Sequence, residues 1–315
     1  MNRREFLKSA AFVSAAVAVG CRTNPPRDEV ITPRPGGRKI LIAHRGASAY
    51  APENTLPAYT LAMKQGADYV EQDLQITKDG VLVCCHDTDL TRVSNVKDLF
   101  PDRFAEVTEK GKPAKRWWIH SFTVAELKQL DFGSHLDPKF KGTQIPTWQE
   151  AIDLIRGKAG LFPETKGPEL YGKLGFNMEQ MVVDVLNRNG LNAKSNHSTP
   201  VFFQSFSRPS LERLNALVAS RWPKLQLSAT KKGSAQQMLP DVPKYATAIG
   251  PAKTDVTADL VRQAHSMGLS VVSWTFATSE PSQFGSVKDE MRHYLYDLGV
   301  DAVFTNNPDQ FPRKA

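Results

Sequence analysis

The chain has 315 residues, of which 41% are hydrophobic and 23% charged, and its formal charge is +7. This is ordinary globular composition. A basic balance suits nucleic acid, a membrane surface or an anionic substrate, and the lack of a Lys/Arg-rich block, a zinc pattern or an RNA-binding signature argues against the first.

Residues 1–20 read as an export signal. Arg3-Arg4 and Phe6-Leu7-Lys8 precede a small apolar stretch from Ala10 to Val19 that is too short to span a bilayer comfortably. The Arg-Arg-x-Phe-Leu-Lys pattern resembles a twin-arginine signal. Ala18-Val19-Gly20-Cys21 resembles a lipobox, which predicts acylation of Cys21 and a membrane anchor without a spanning helix. Residues 21–38 are rich in proline and charge and read as a flexible tether. The folded domain is then 39–315.

Within that domain, short apolar runs alternate with helical patterns. Strands are predicted at 40–43, 69–73, 161–164, 201–205, 225–228, 246–249, 270–274 and 302–305, and helices at 56–65, 178–189, 209–220, 257–267 and 287–298. This alternation predicts an α/β chain whose parallel sheet closes into a (β/α)8 TIM barrel. The rival, an open doubly wound sheet, lacks its Gly-rich phosphate fingerprint after the first strand.

Lys78-Asp79-Gly80 interrupts the rhythm with a hairpin signal. If Asp79 and Gly80 are the two turn residues, His86 falls opposite Asp73, with Glu71 two residues further along the same face. A long insertion, about 87–147, follows; in a barrel such a segment is more often a lid or cap than filler. Trp117 and Trp118 within it are assigned to packing. Cys84 and Cys85 are neighbours on a strand, point to opposite faces, and read as small apolar fillers that do not bond each other.

The reactive groups of a barrel sit at the C-terminal ends of its strands. Taken in order, those ends carry His44-Arg45, Glu71-x-Asp73, Glu164-x-Lys166, Gln204-x-Phe206, Trp274 and Thr305-Asn306. A period of two puts Glu71 and Asp73 on one face, and likewise Glu164 and Lys166. Three carboxylates at one mouth repel unless a cation neutralises them, and oxygen ligands favour calcium or magnesium. Two histidines supply a base and an acid, and Arg45 and Lys166 suit a phosphate. Together these groups describe phosphoester cleavage. His120, His135, His197, His265 and His293 read as ordinary structural or surface residues.

The stretches "AHRGASAYAPENTLPAY", "GADYVEQDLQITKDGVLVCCHDTDLTRVSNV", "FPETKGP", "FFQSF", "VSWTF" and "GVDAVFTNNPD" resemble the glycerophosphodiester phosphodiesterase family, and its periplasmic type more than its short cytosolic type. The resemblance runs from near residue 41 to residue 309. It implies His44 and His86 as catalytic histidines, and Glu71, Asp73 and Glu164 as ligands of one divalent cation, calcium before magnesium. It also implies Arg45 and Lys166 as phosphate contacts, Trp274 near the glycerol moiety, and Glu53 and Asn54 as supporting residues. Asn306 stands where the family has Asp or Asn, which leaves its role open. Asp87 is assigned to supporting His86 or the hairpin turn.

The implied reaction hydrolyses glycerophosphodiesters such as glycerophosphocholine or glycerophosphoethanolamine to sn-glycerol 3-phosphate and an alcohol. We assign His44 as base and His86 as acid, roles the sequence allows to swap. The attacker is water or the substrate's neighbouring glycerol hydroxyl. A phospholipase D-like or phosphoinositide-type enzyme on a related barrel would need an apolar landing surface, which the polar stretch after Cys21 does not suggest. A tethered binding protein with a decayed site conflicts with the intact site positions.

Overall fold

Alternate residues of each apolar run serve two different cores. In β1 (Ile40–Ala43), Ile40 and Ile42 join the cluster that fills the barrel, while Leu41 and Ala43 join the larger one beneath the helices. This is the period-two alternation of a strand buried on both faces.

The computed structural model describes residues 32–313 except 194–195, 197, 219–221 and 280–281. The export signal, Cys21, most of the tether and His197 therefore lie outside the described residues. After β1 come α1 (Leu56–Lys64), β2 (Tyr69–Ile76), β3 (Leu82–Cys84), α2 (Val96–Leu99), β4 (Ala105–Glu109), β5 (Lys112–Arg116), α3 (Val124–Leu127) and α4 (Trp148–Ile155). They are followed by β6 (Gly160–Thr165), α5 (Pro168–Lys173), α6 (Met178–Arg188), β7 (Phe203–Ser205), α7 (Arg208–Leu217), β8 (Lys224–Leu227) and α8 (Ser234–Met238). The chain continues with β9 (Ala248–Gly250), α9 (Ala258–Ser266), β10 (Ser270–Phe276), α10 (Val287–Arg292) and β11 (Ala302–Thr305). Strands β1, β2 and β6 to β11 pair in parallel in that order, and β11 returns to β1. The result is a closed (β/α)8 barrel.

Its interior is aromatic. Phe162 lies 4.5 Å from Phe202, 5.1 Å from Phe304 and 5.6 Å from Tyr69 between ring centroids, in tilted or edge-on arrangements. These rings fill the barrel below the catalytic end. Gly160 opens β6 because a side chain there would meet the Tyr69 ring, with a Cβ only 2.4 Å from it.

The structure corrects the hairpin. Thr77 N–H donates to the Val81 carbonyl and Gly80 N–H to the Thr77 carbonyl, so Lys78, Asp79 and Gly80 form a three-residue loop, with Gly80 at φ 76°. The extra loop residue moves the register by one: Leu74 pairs with Cys84 and Ile76 with Leu82. Cys85, not His86, faces Asp73, and its N–H donates to the Asp73 carbonyl at 2.9 Å. His86 follows the paired strand at a bend, where Gln75 Nε2 donates to its carbonyl.

Other boundaries differ less. Helix α4 was not expected; the Thr147–Glu150 capping box starts it, and Trp148, Ala151, Ile152 and Ile155 bury one face. The predicted helix at 287–298 is α10 followed by a π-helical turn, His293–Asp297. The insertion forms a satellite core of its own, in which Val83, Cys85, Leu90, Trp117, Ile119 and Phe122 pack together. Trp117 is buried there and donates Nε1–H to the Phe100 carbonyl, consistent with packing. Cys84 and Cys85 are unbonded and enter different cores, as opposite faces require.

Replacing Gly160 with alanine forces the Tyr69 ring to move inside a filled barrel. The Gly160→Ala variant is expected to lose about 1–3 kcal/mol, read as a lowered urea midpoint with an unchanged slope.

Candidate active site

On β1, β2, β6 and β7 the inward residues nearest the catalytic end are polar, and those below them are apolar or aromatic. His44 follows Ile40 and Ile42; Glu71 and Asp73 follow Tyr69; Glu164 follows Phe162; Gln204 follows Phe202. The ladder puts Asp73 beside Glu164, and Glu164 beside Gln204. His44, Arg45, Glu71, Asp73, His86, Glu164, Lys166 and Trp274, the site residues expected from the sequence, line one cleft. Gln204, Phe206, Leu227, Thr275 and Phe304 complete its wall.

Local backbone shape explains the opening motif. The chain turns sharply after His44, with Arg45 at φ 55° and Gly46 at φ 84°. A non-glycine residue in this left-handed region costs on the order of 1–3 kcal/mol. The turn aims the Arg45 N–H at Glu71 Oε2, 2.6 Å away. It also brings Gly46 against α1, where an added Cβ would meet the Ala58 backbone at 2.7 Å.

Glu71, Asp73 and Glu164 are buried, and each offers an oxygen within 4.8 Å of the others'. Two cations face them. Arg45 Nε lies 3.2 Å from Asp73 Oδ2, and Lys166 Nζ lies 3.2 Å from Glu164 Oε1 and 3.6 Å from Asp73 Oδ1. Asn54, at φ 56°, holds Asp73 from the other side, donating Nδ2–H to Oδ2 at 2.8 Å and accepting the Asp73 N–H. Gln204 Nε2 donates to Glu71 Oε1 at 3.0 Å.

The charges are unevenly compensated. Burial and the adjacent Asp73 push the Glu71 carboxyl well above the usual carboxylate range. Burial pushes Glu164 up to about 7 despite Lys166. Burial would also raise Asp73, but Lys166 and Arg45 hold it well below its ordinary value. Two like-charged groups that resist ionisation at a buried oxygen cluster are what a divalent cation relieves. The donor set, all carboxylate oxygen, fits calcium or magnesium.

The two histidines have different supports. His44 Nδ1 lies 2.7 Å from Asn306 Oδ1, a neutral amide. Burial, then Arg45, lowers its pKa to about 3, so its ring is neutral. His86 Nδ1 lies 2.6 Å from the Asp87 carboxylate. Asp87 thus supports His86, and Asn306, whose role the sequence left open, is the partner of His44. Trp274 donates Nε1–H to the Gly250 carbonyl at 2.8 Å and meets Phe206 edge-on at 5.8 Å. Gln204 and Phe206 stood at a predicted strand end without a role; their position on the inward face, two residues apart, is the signal that places them in the wall.

A barrel with this cluster at its catalytic end defines a hydrolase of phosphoric diesters. The chain belongs to the glycerophosphoryl diester phosphodiesterase family, whose model matches residues 44–310. It is 32% identical over 285 residues to a glycerophosphodiester phosphodiesterase of Bacillus subtilis, covering 87% of this chain and 85% of that one. It is 30% identical over 315 residues to one of Arabidopsis thaliana, covering 85% and 84%. Among solved structures it resembles a phosphodiesterase of Oleispira antarctica in complex with the product sn-glycerol-3-phosphate. That match has a TM-score of 0.66 and 26% identity and covers 86% and 94% of the two chains. The fold is also that of an Agrobacterium tumefaciens glycerophosphodiester phosphodiesterase, with a TM-score of 0.62 at 23% identity, covering 87% and 99%.

Removing the Asn306 amide frees the His44 ring. The Asn306→Ala variant is expected to lose about 10- to 100-fold in kcat, the scale of losing a partner that orients a reactive imidazole. Steady-state kinetics should show KM nearly unchanged; this expectation rests on His44 moving a proton in the reaction, the role proposed below.

Proposed function

We propose that the protein is a metal-dependent phosphodiesterase of the periplasmic type, releasing sn-glycerol 3-phosphate and a free alcohol from deacylated phospholipids such as glycerophosphocholine and glycerophosphoethanolamine. The observation that carries this reading is the single cleft in which three buried carboxylates, two cations and two separately held imidazoles converge. Glu71, Asp73 and Glu164 would hold the divalent cation. When bound, the cation supplies Lewis acidity and balances the charge that grows on the phosphoryl group. Calcium is favoured over magnesium because three protein carboxylates meet at one point, whereas magnesium commonly keeps several waters and uses one or two.

Arg45 and Lys166 hold the phosphate by charge-assisted hydrogen bonds. Trp274, fixed by its bond to Gly250, presents its ring to the glycerol moiety. His44 is the base: its Nδ1 faces a neutral acceptor, which leaves Nε2 free to take a proton from the attacking oxygen. His86 is the acid: the Asp87 carboxylate on its Nδ1 balances positive charge on the ring, which then gives its Nε2 proton to the leaving alcohol. The attacker is water or the glycerol hydroxyl beside the phosphate; a trapped cyclic phosphate separates the two.

We also propose export through the twin-arginine-like signal and anchoring through acylated Cys21, which places the enzyme outside the cytoplasm where free glycerophosphodiesters are met.

Purified protein is expected to turn over glycerophosphocholine, to stop when the cation is chelated, and to recover with calcium. His44→Ala should be inactive. A cation at a hundredfold excess over its Kd stabilises the fold by about 2.7 kcal/mol. The resulting rise in Tm should disappear in Glu164→Gln. Unchanged turnover under chelation, or action on intact lipid alone, overturns the reading.

Cys21→Ala is expected to release the protein from membranes and abolish its labelling by a radioactive fatty acid. Continued membrane association with no label would refute the anchor.

A further inference from the structure

Arg92 lies outside the cleft, on the first turn of the insertion (Leu90–Arg92), with about half of its side chain exposed. It bridges two carboxylates from distant parts of the chain. Nη1 and Nη2 donate to Glu53 at 2.9 and 2.6 Å, and Nε donates to Asp87 Oδ2. Each carboxylate has a second partner in the site: Asp87 Oδ1 meets His86 Nδ1 at 2.6 Å, and Glu53 Oε1 meets Arg45 Nη1 at 3.1 Å. A chain of alternating charge therefore runs Asp87–Arg92–Glu53–Arg45–Asp73, with the His86 ring on its Asp87 end.

We infer that Arg92 is a positioning residue for the hydrolysis, acting through Asp87 on His86, and that this tie is how the insertion takes part in the reaction. The inference rests on the role of His86 proposed above. An exposed ion pair by itself contributes little to stability. Here, however, one planar guanidinium uses three donors on two carboxylates, a geometry that an ammonium does not reproduce. His86 has left the barrel ladder by the point where it bends into the cleft, so strand pairing does not hold its ring. The ring's orientation comes from Asp87, and the Asp87 carboxylate is turned by Arg92. Without Arg92, Asp87 Oδ2 loses its donor and the carboxylate rotates about its own side chain. Arg45 suffers less, because its Nε stays on Asp73 at 3.2 Å. The effect should thus fall on the proton transfer and not on phosphate binding.

The test uses the intact enzyme with glycerophosphocholine. Arg92→Ala should lower kcat about 10- to 100-fold, part of what a positioned acid supplies, with KM changed no more than about twofold and Tm by no more than about 2 °C. Added guanidinium at millimolar concentration should restore part of kcat. Arg92→Lys should fall between wild type and Arg92→Ala, and it keeps the comparison available if the alanine variant folds poorly. Adding Arg92→Ala to Asp87→Asn should cost little further, because both act through one contact. Nitrogen-15 NMR of the histidines gives a readout independent of turnover. The low-field Nδ1–H signal, assigned through His86→Ala, should shift or broaden in Arg92→Ala. An unchanged signal with unchanged kcat, a loss confined to KM, or fully additive losses with Asp87→Asn would each overturn the inference. A shifted signal without the kcat loss keeps the tie and counts against the role of His86.

Discussion

Among the described residues, three carboxylates meet in a buried space with two cations beside them, and the rest of the structure is arranged around that imbalance. Bringing Glu71, Asp73 and Glu164 together is unfavourable in any compact chain. Here it is enforced by strands whose lower halves are filled with aromatic rings. The barrel closes because those rings leave water, and closing it carries the acids on the strands' upper ends to a common point. Protonation of Glu71 and Glu164 relieves the repulsion, and a divalent cation would relieve it as well.

Around this centre the molecule divides its work. The barrel strands present the three carboxylates and one imidazole. Loops and the insertion present the second imidazole and much of the support. Asn54 and Glu53 come from the loop after β1, and Asp87 and Arg92 from the chain beyond the hairpin. Arg92, with about half of its side chain exposed, is thus linked to the buried Asp73 through Glu53 and Arg45. The satellite core of the insertion gives those relays a packed base, since Val83 and Cys85 root it in the strand that pairs with β2. Two histidines made alike by sequence become different by surroundings: a neutral amide stands behind His44 and a carboxylate behind His86.

Much of this is legible without coordinates. The eight barrel strands were each placed to within about three residues by apolar runs and turn signals. The acids and cations followed from the fact that barrel chemistry gathers at strand ends. The hairpin register was not legible, because Lys78-Asp79-Gly80 suits a two-residue or a three-residue loop and only the hydrogen bonds of Thr77 distinguish them. Helix α4 carries a readable capping box and apolar face, but it sits directly after the irregular insertion, where the strand–helix rhythm gives no frame. Arg92 carries no signal that singles it out, and Asn306, though read at a strand end, could not be paired with His44 from the sequence: Glu53 lies 39 positions from Arg92, and His44 lies 262 positions from Asn306.

By itself, the order of residues determined which groups would be inward and at what height in the barrel, since period and strand length are local properties of the backbone. Tertiary structure decided which groups face one another across the mouth and which partner each imidazole has. Those depend on a closure, a loop length and side-chain directions that no stretch of chain carries alone.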